Sequence, residues 1–301
     1  MGDKLETTPD SHQLDRRRFL KVTGVVAALA VFGGDVVNGL VYADALTQAQ
    51  RDKMTPDEIL ADMKRGNERF RKGQLKERNF LAEQKASAKG QYPAAAVLGC
   101  IDSRVPAPVI MDFGIADMFD SRVAGNIANE DILGSLEFAC KLSGAKVVLV
   151  MGHTSCGAIK GAIDKAELGN LTGLLSKIRP AVEATTFTGE RSSKNNAFVD
   201  AVARKNVELT IADIRKRSVV LQELESKGAI KIAGAMYNLE TAAVDFSVCS
   251  RGKYQREQAA LFGAGGRGVG SGCAREIARC NHDLKVVVGR ENEDGITGNK
   301  K

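Results

Sequence analysis

The chain has 301 residues, of which 44% are hydrophobic, with no Trp, six Cys and a formal net charge of +6. This size and apolar content suffice for one sizeable core with appendages, and the sparse cysteines exclude a disulfide scaffold. The charge does not indicate nucleic-acid binding, because residues 249–301 alone carry ten basic and six acidic side chains without a recognition motif. We therefore expect one folded domain and no nucleic-acid partner.

Residues 1–45 do not have the pattern of a folded segment. Asp15–Lys21 (DRRRFLK) resembles the twin-arginine export motif, with Arg16 and Arg17 as the pair, and an apolar stretch with an A-x-A cleavage site at 43–45 follows. Two glycines, an Asp and an Asn interrupt the stretch, which disfavours the alternative of a membrane anchor. We predict a signal cleaved near Ala45, passage through the twin-arginine export machinery and a periplasmic mature protein.

A helix start is predicted at Thr55, because Pro56 and two acidic residues follow it. Ile59, Met63 and Phe70 give this helix an apolar stripe. The helix lies well ahead of the first predicted strand, so it forms either an arm that packs on a partner subunit or a helix that packs on its own core. Both alternatives stay open at this point.

Apolar runs alternate with helical patterns between residues 94 and 248. The predicted strands are Ala94–Gly99, Ile115–Val123, a run that begins at Val147, Ala229–Tyr237 and the edge strand Thr241–Val248; the predicted helices are Ile132–Leu142, Gly157–Glu167, Leu171–Arg179 and Asn206–Lys227. This alternation predicts an α/β fold with a mostly parallel central β-sheet flanked by helices and an N-terminal helical arm. The predicted domain covers residues 46–248.

Residues 249–301 form a Gly/Arg-rich tail to which no role is assigned. Phe262–Cys273 contains the letters G-x-G-x-x-G of a dinucleotide-binding loop. It does not follow a strand inside a βαβ unit, so a flexible segment is the better interpretation.

Three potential metal ligands follow two of the predicted strands. Cys100 comes directly after the first strand, and His153 and Cys156 lie at the end of the strand that begins at Val147. Two thiolates and one imidazole suit Zn²⁺ in a tetrahedral site with one position left for water or substrate. Cys140 lies on the apolar face of a predicted helix and is interpreted as a core residue.

An acidic and a basic residue lie beside the first of these ligands. Two thiolates cancel the charge of Zn²⁺, so a nearby acceptor is needed to orient a zinc-bound hydroxide, and Asp102 is placed to accept that hydrogen bond. Arg104 can hold Asp102 through a fork of two bonds. If that pairing breaks, Asp102 is close enough to take the fourth zinc position and close the site, so we predict Cys100, Asp102, His153 and Cys156 as metal ligands.

These motifs together resemble those of the β-class carbonic anhydrases. The resemblance covers about residues 56–248 and rests on four motifs in order: CIDSRVP from Cys100, RVAGN from Arg122, GSLEFA from Gly134 and GHTSCG from Gly152. It implies one zinc ion per subunit, held by Cys100, His153 and Cys156, with Asp102 and Arg104 as the catalytic dyad. It also implies a homodimer or homotetramer with active sites near the subunit interface.

The activity that this resemblance implies is the reversible hydration of CO2 to bicarbonate and a proton, through attack of zinc hydroxide on CO2. Two alternatives use the same ligands: a hydrolase of carbonyl sulfide or carbon disulfide, and a zinc-binding or thiol protein without turnover. Nothing in the residues identifies a proton shuttle, because only His12, His153 and His282 exist.

Overall fold

The centre of the fold is a five-stranded β-sheet. The computed structural model describes residues 45–248, so most of the predicted export signal and the whole tail lie outside the described residues. The strands are β1 (Ala95–Gly99), β2 (Met118–Arg122), β3 (Val147–His153), β4 (Lys231–Tyr237) and β5 (Val244–Val248). Their order is β2-β1-β3-β4-β5, with β1 to β4 parallel and β5 antiparallel to β4. The predicted mostly parallel α/β fold and its edge strand are confirmed, and the structure shows that this edge strand is antiparallel.

Helices cover both faces of this sheet. They are α1 (Gln48–Lys53), α2 (Pro56–Arg71), α3 (Phe80–Ser87), α4 (Ala107–Ile110), α5 (Glu130–Glu137), α6 (Gly157–Ile163), α7 (Gly169–Ser176), α8 (Arg179–Ala184), α9 (Asn196–Arg217) and α10 (Val219–Ser226). A 3₁₀ turn at Ala124–Asn126 follows β2, and a π-helical turn at Phe138–Leu142 extends α5. Among the helices of residues 45–248, none is long and apolar enough to cross a membrane.

Two hydrophobic clusters lie on opposite faces of the sheet. The larger one joins the sheet to α5, α6, α8 and α9, and the smaller one joins it to α2 and α4. β3 is buried along its whole length, as its run of apolar β-branched residues requires in a strand covered on both faces. The carboxyl ends of the parallel strands therefore meet at one edge between these two helical layers.

Helix α2 packs on its own core. Ile59 and Met63 are fully buried in the smaller cluster, and burial of each such side chain stabilises a fold by roughly 1.5–3 kcal/mol. The start is as predicted: Thr55 Oγ1 accepts a hydrogen bond from Glu58 N, and Thr55 N donates to Glu58 Oε2. Of the two alternatives for this helix, packing on its own sheet is the one that the structure shows.

The predicted helix Asn206–Lys227 is wrong in both its start and its continuity. Helix α9 begins ten residues earlier, where Asn195 Oδ1 accepts hydrogen bonds from Ala197 N and Phe198 N. The chain then breaks at Ser218, whose extended backbone ends α9 and whose hydroxyl caps α10 by accepting from Leu221 N. The apolar period continues across the break, so periodicity alone did not reveal it.

Gly66 lets α2 pack closely against the loop after α4, because it has no side chain. A Cβ built at this position lies 1.8 Å from the carbonyl oxygen of Met111, which is backbone and cannot rotate away. The neighbouring Asn67 then bridges three segments, since its Nδ2 donates to the carbonyl oxygens of Ile110 and Ala242 and its Oδ1 accepts from Val244 N. Close packing at Gly66 thus brings Asn67 within hydrogen-bond distance of Val244 in the edge strand β5.

We predict that Gly66→Ala lowers the free energy of unfolding by about 1–3 kcal/mol or more, because the added methyl group forces the helix away from Met111. Chemical denaturation followed by circular dichroism measures the change. Gly173→Ala in α7 is the matched control, since nothing lies within 4 Å of its Cβ position, and it should be neutral or stabilising. Equal stability of the two variants would contradict the close approach.

Candidate metal centre

The first predicted ligand lies at the carboxyl end of β1. Cys100 directly follows this strand and is 4% exposed. Its Sγ accepts a hydrogen bond from Gly125 N at 3.4 Å, so the 3₁₀ turn after β2 reaches the thiol. Gly125 has φ +70°, a left-handed conformation that glycine adopts without a steric penalty.

The other two predicted ligands lie at the end of the neighbouring strand β3. His153 is the last residue of β3, and Cys156 immediately precedes α6. Gly99 pairs with Met151 in the parallel register, which brings the ends of β1 and β3 side by side. The structure therefore brings together the three residues that the sequence singled out from separate strand ends.

The three side chains form one compact, buried group. The ligating atoms of Cys100, His153 and Cys156 all lie within 4.8 Å of one another, and the two Sγ atoms are 3.9 Å apart. His153 and Cys156 are each 1% exposed. Within residues 45–248, this is the group of Cys, His and acidic side chains that has the spacing to hold a metal ion.

The imidazole of His153 is oriented as a metal ligand. Its Nδ1 lies 2.9 Å from the carbonyl oxygen of Thr154, and since a carbonyl only accepts, Nδ1 carries the proton. The neutral ring then has its lone pair on Nε2, which is buried without a hydrogen-bond partner among the described residues. A buried nitrogen acceptor beside two thiols is costly unless a cation or a proton donor satisfies it, so this donor set fits Zn²⁺.

The two thiols affect each other's ionisation. The hydrogen bond from the Cys156 thiol lowers the pKa of Cys100, while that contact and burial raise the pKa of Cys156. One thiol thus ionises readily and the second resists ionisation without added positive charge. A bound divalent cation supplies that charge and keeps both sulfurs deprotonated. By contrast, burial alone raises the pKa of Cys140 to about 12, in line with its predicted role as a core residue.

Asp102 and Arg104 form a bidentate pair beside this group. Arg104 Nε donates to Oδ1 of Asp102 at 3.0 Å and Arg104 Nη2 to Oδ2 at 2.8 Å. This pairing holds the pKa of Asp102 well below its usual range, so the carboxylate is ionised and acts only as an acceptor. Its Oδ2 lies 3.9 Å from His153 Nε2, which places it next to the ligand group.

Arg122 contributes to the site in a way that sequence reasoning missed. Its Nε donates to the carbonyl oxygen of Cys100 at 2.9 Å, and its Nη2 donates to the carbonyl oxygen of Asp102. One guanidinium group thereby holds the backbone of the ligand and of the acidic member of the pair. The RVAGN motif drew attention to Arg122 but not to its contacts. The register of β2 against β1 places Arg122 opposite Gly99, and this position shows which atoms the side chain reaches.

Comparison with known sequences identifies the family of the chain. A sequence model described as carbonic anhydrase matches residues 95–244, which include all five predicted site residues. Carbonic anhydrase 2 of Mycobacterium tuberculosis is 34% identical over 184 residues, covering 59% of this chain and 86% of that protein. A carbonic anhydrase of Mycolicibacterium smegmatis is 32% identical over 185 residues, covering 61% of this chain and 89% of that protein. The chain belongs to the carbonic anhydrase family.

The fold of the chain is similar to those of solved β-carbonic anhydrases. The β-carbonic anhydrase of Coccomyxa, solved in complex with acetazolamide, has a TM-score of 0.51 at 23% identity and covers 59% of this chain and 87% of that chain. A β-carbonic anhydrase of Aspergillus fumigatus has a TM-score of 0.50 at 22% identity and covers 69% of this chain and 99% of that chain. The similarity to a β-class carbonic anhydrase expected from the sequence motifs is confirmed.

We predict that metal removal from this carbonic anhydrase makes Cys100 reactive to alkylation, while Cys140 and Cys156 react far more slowly. Bound metal shields the Cys100 sulfur, whose pKa is lowered, whereas Cys140 and Cys156 stay shielded by burial and by their raised pKa values. Iodoacetamide labelling with and without a chelator, mapped by peptide mass spectrometry, measures this difference. Labelling in denaturant is the control in which all three react, and chelator-independent labelling of Cys100 would contradict a metal site.

Proposed function

We propose that this chain is a zinc-dependent enzyme that interconverts CO2 with bicarbonate and a proton. The observation that carries the proposal is the buried group of Cys100, His153 and Cys156 with an ionised Asp102 beside it. Its curated mycobacterial relatives are named carbonic anhydrases, which supports the same reaction.

Cys100, His153 and Cys156 would hold the zinc ion. When bound there, zinc acts as a Lewis acid that lowers the pKa of a coordinated water and so supplies a nucleophile for CO2 near neutral pH. Before metal binding, a hydrogen bond from Gly125 N holds the Cys100 thiol in place. A second hydrogen bond, from His153 Nδ1 to the carbonyl oxygen of Thr154, holds the imidazole. The ligands therefore need little rearrangement to bind the ion.

Asp102 would orient the attacking water. Because Arg104 keeps the carboxylate ionised, Asp102 can accept a hydrogen bond but cannot donate one, which favours a water that points its O–H toward Oδ2 and its lone pair toward CO2. In the structure Asp102 is paired with Arg104, and its role as a fourth ligand in a closed form stays a prediction. The released proton passes to solvent, since the described residues contain no histidine besides His153.

The comparisons give no support to the alternative functions. Hydrolysis of carbonyl sulfide or carbon disulfide, or a zinc protein without turnover, would use the same ligands, but the relatives above are named carbonic anhydrases. The Asp102–Arg104 pair also favours turnover, because a purely structural zinc site has no need of an ionised acceptor next to its ligands.

We propose that the enzyme assembles as a homodimer or homotetramer. Phe138 and Leu142 are 49% and 75% exposed in the single chain, although both are large and apolar. Phe119 on the edge strand β2 packs edge-on against Phe138 at 6.2 Å between ring centroids. A second copy of the chain would cover this apolar surface.

We predict that Asp102→Asn keeps one zinc per subunit and lowers kcat/KM for CO2 hydration by about 10²-fold to 10³-fold, because the amide can donate and no longer selects the water orientation. Stopped-flow CO2 hydration and zinc quantification measure the two effects. Asp164→Asn, at an exposed carboxylate after α6, is the matched control and should leave both unchanged. Cys100→Ala and His153→Ala should lose zinc and activity together. Full activity in Asp102→Asn would contradict the proposed role.

We propose that the protein is exported to the periplasm, on the basis of the twin-arginine-like motif in residues 1–45. Arg16→Lys combined with Arg17→Lys should leave the uncleaved protein in the cytoplasm, because the arginine pair defines the twin-arginine signal. Arg18→Lys, next to the pair, is the control that should still be exported. Cell fractionation and N-terminal sequencing of the mature protein measure the outcome, and cytoplasmic retention of the unmodified chain would contradict export.

A further inference from the structure

We propose that helix α9, which carries none of the predicted ligands, sets the geometry of the metal site through two positioning residues, Asp200 and Asn206. Asp200 contacts the loop between His153 and Cys156, and Asn206 contacts the turn that donates to Cys100. The inference rests on the proposed zinc site but not on the identity of the substrate.

Asp200 holds the loop that links two of the ligands. Its Oδ1 accepts a hydrogen bond from Ser155 N at 2.8 Å. Ser155 has φ +53°, a left-handed conformation that a serine adopts only where the surroundings enforce it. Without this acceptor, the Ser155 N–H loses its partner and the strained residue can relax, which would move Cys156 relative to His153.

The same loop is also held by Tyr237 at the end of β4 and by Leu239 just after it. Thr154 N donates to the carbonyl oxygen of Tyr237 at 2.9 Å, and Thr154 Oγ1 accepts from Leu239 N at 3.0 Å. The loop is thus fixed between the end of the sheet and α9. These two hydrogen bonds restrain the loop only as far as Thr154. The hydrogen bond to Asp200 restrains the next residue, Ser155, which precedes Cys156.

Asn206 acts on the other thiol. It is 3% exposed, and its Nδ2 donates to the carbonyl oxygen of Gly125 at 2.7 Å. The N–H of Gly125 in turn donates to Cys100 Sγ at 3.4 Å. A hydrogen bond to sulfur favours the thiolate, so the Asn206 amide fixes the donor that orients and stabilises Cys100 as a ligand.

Helix α9 is well placed to act as a rigid support. Four of its apolar side chains near these positions are 0–2% exposed and belong to the larger core cluster: Val199, Val202, Ala203 and Val207. Helix α9, anchored in the core, thus supports Cys100 at the end of β1 through the Gly125 turn. It also supports the loop between His153 and Cys156 at the end of β3. Supporting hydrogen bonds of this kind maintain the spacing of the ligands before the metal binds.

The test compares Asp200→Ala, Asp200→Asn and Asn206→Asp, with Asp213→Asn as the control on the exposed side of the same helix. Removing such supporting contacts typically weakens metal binding by about 10-fold to 100-fold, and we expect this for Asp200→Ala and Asn206→Asp. Asp200→Asn keeps an Oδ1 acceptor and should bind zinc nearly as tightly as the unchanged enzyme. Asn206→Asp loses the donor at constant size and places a carboxylate against the Gly125 carbonyl.

Zinc affinity is measured on each full-length variant by competition with a chromophoric chelator, and the thiolate-to-metal absorption of the Co²⁺-substituted protein reports ligand geometry. A purely structural role would lower the melting temperature of the metal-free protein without changing the Co²⁺ spectrum or the zinc affinity. If Asp200→Ala does not fold, Asn206→Asp carries the test in the same assays.

Unchanged affinity in the folded Asp200→Ala or Asn206→Asp variants, or binding by Asp200→Asn that is as weak as that of Asp200→Ala, would overturn the positioning role. Failure of the unchanged protein to bind zinc would instead overturn the proposed function, so the two outcomes are distinguishable.

Discussion

The site depends on the parallel pairing of β1 with β3. The register sets Gly99 opposite Met151, so the residues that follow both strands emerge at the same sheet edge, where the ligating atoms of Cys100, His153 and Cys156 come within 4.8 Å. A shift of one residue would turn the side chains of a strand to the opposite face and separate the ligands. Complete burial of β3 between two helical layers makes such a shift costly, because each inward apolar side chain has a matching position in one of the two clusters.

The electrostatics of the site follow from that geometry. Of the two buried thiols 3.9 Å apart, Cys156 resists ionisation beside Cys100, and the lone pair of a buried imidazole has no partner among the described residues. A divalent cation resolves both costs at once, which is why this donor set and its burial point to zinc. Asp102 lies at the rim of the group rather than within it, because Arg104 holds both of its oxygens and keeps it ionised. The same pair therefore supplies an oriented acceptor and keeps that acceptor away from the ligand set.

Residues distant in sequence support the ligands from outside the motifs. Arg122 holds the backbone of Cys100 and Asp102, while Asn206 and Asp200 reach the Gly125 turn and the Ser155 loop from one helix. Asp200 and Asn206 have no sequence pattern that marks them as part of a site, and the motif that contains Arg122 does not show which atoms its side chain reaches. Their roles arise from which backbone atoms lie within 3 Å of each side chain, and that depends on how β2 and α9 pack on the sheet.

The sequence by itself determined the fold class, most strand positions and the start of α2, and it singled out the three side chains that the structure groups and the Asp102–Arg104 pair beside them, because these follow from local apolar runs, caps and motif spacing. It also indicated the core role of Cys140 through its helical position. It did not determine the extent of α9 or the break at Ser218, where the apolar period continues across a residue whose hydroxyl caps the next helix. Nor did it decide whether α2 packs on its own core. Only the tertiary structure decided these points, because they depend on contacts between residues far apart in the chain: Gly66 against Met111, Asp200 against Ser155 and Asn206 against Gly125.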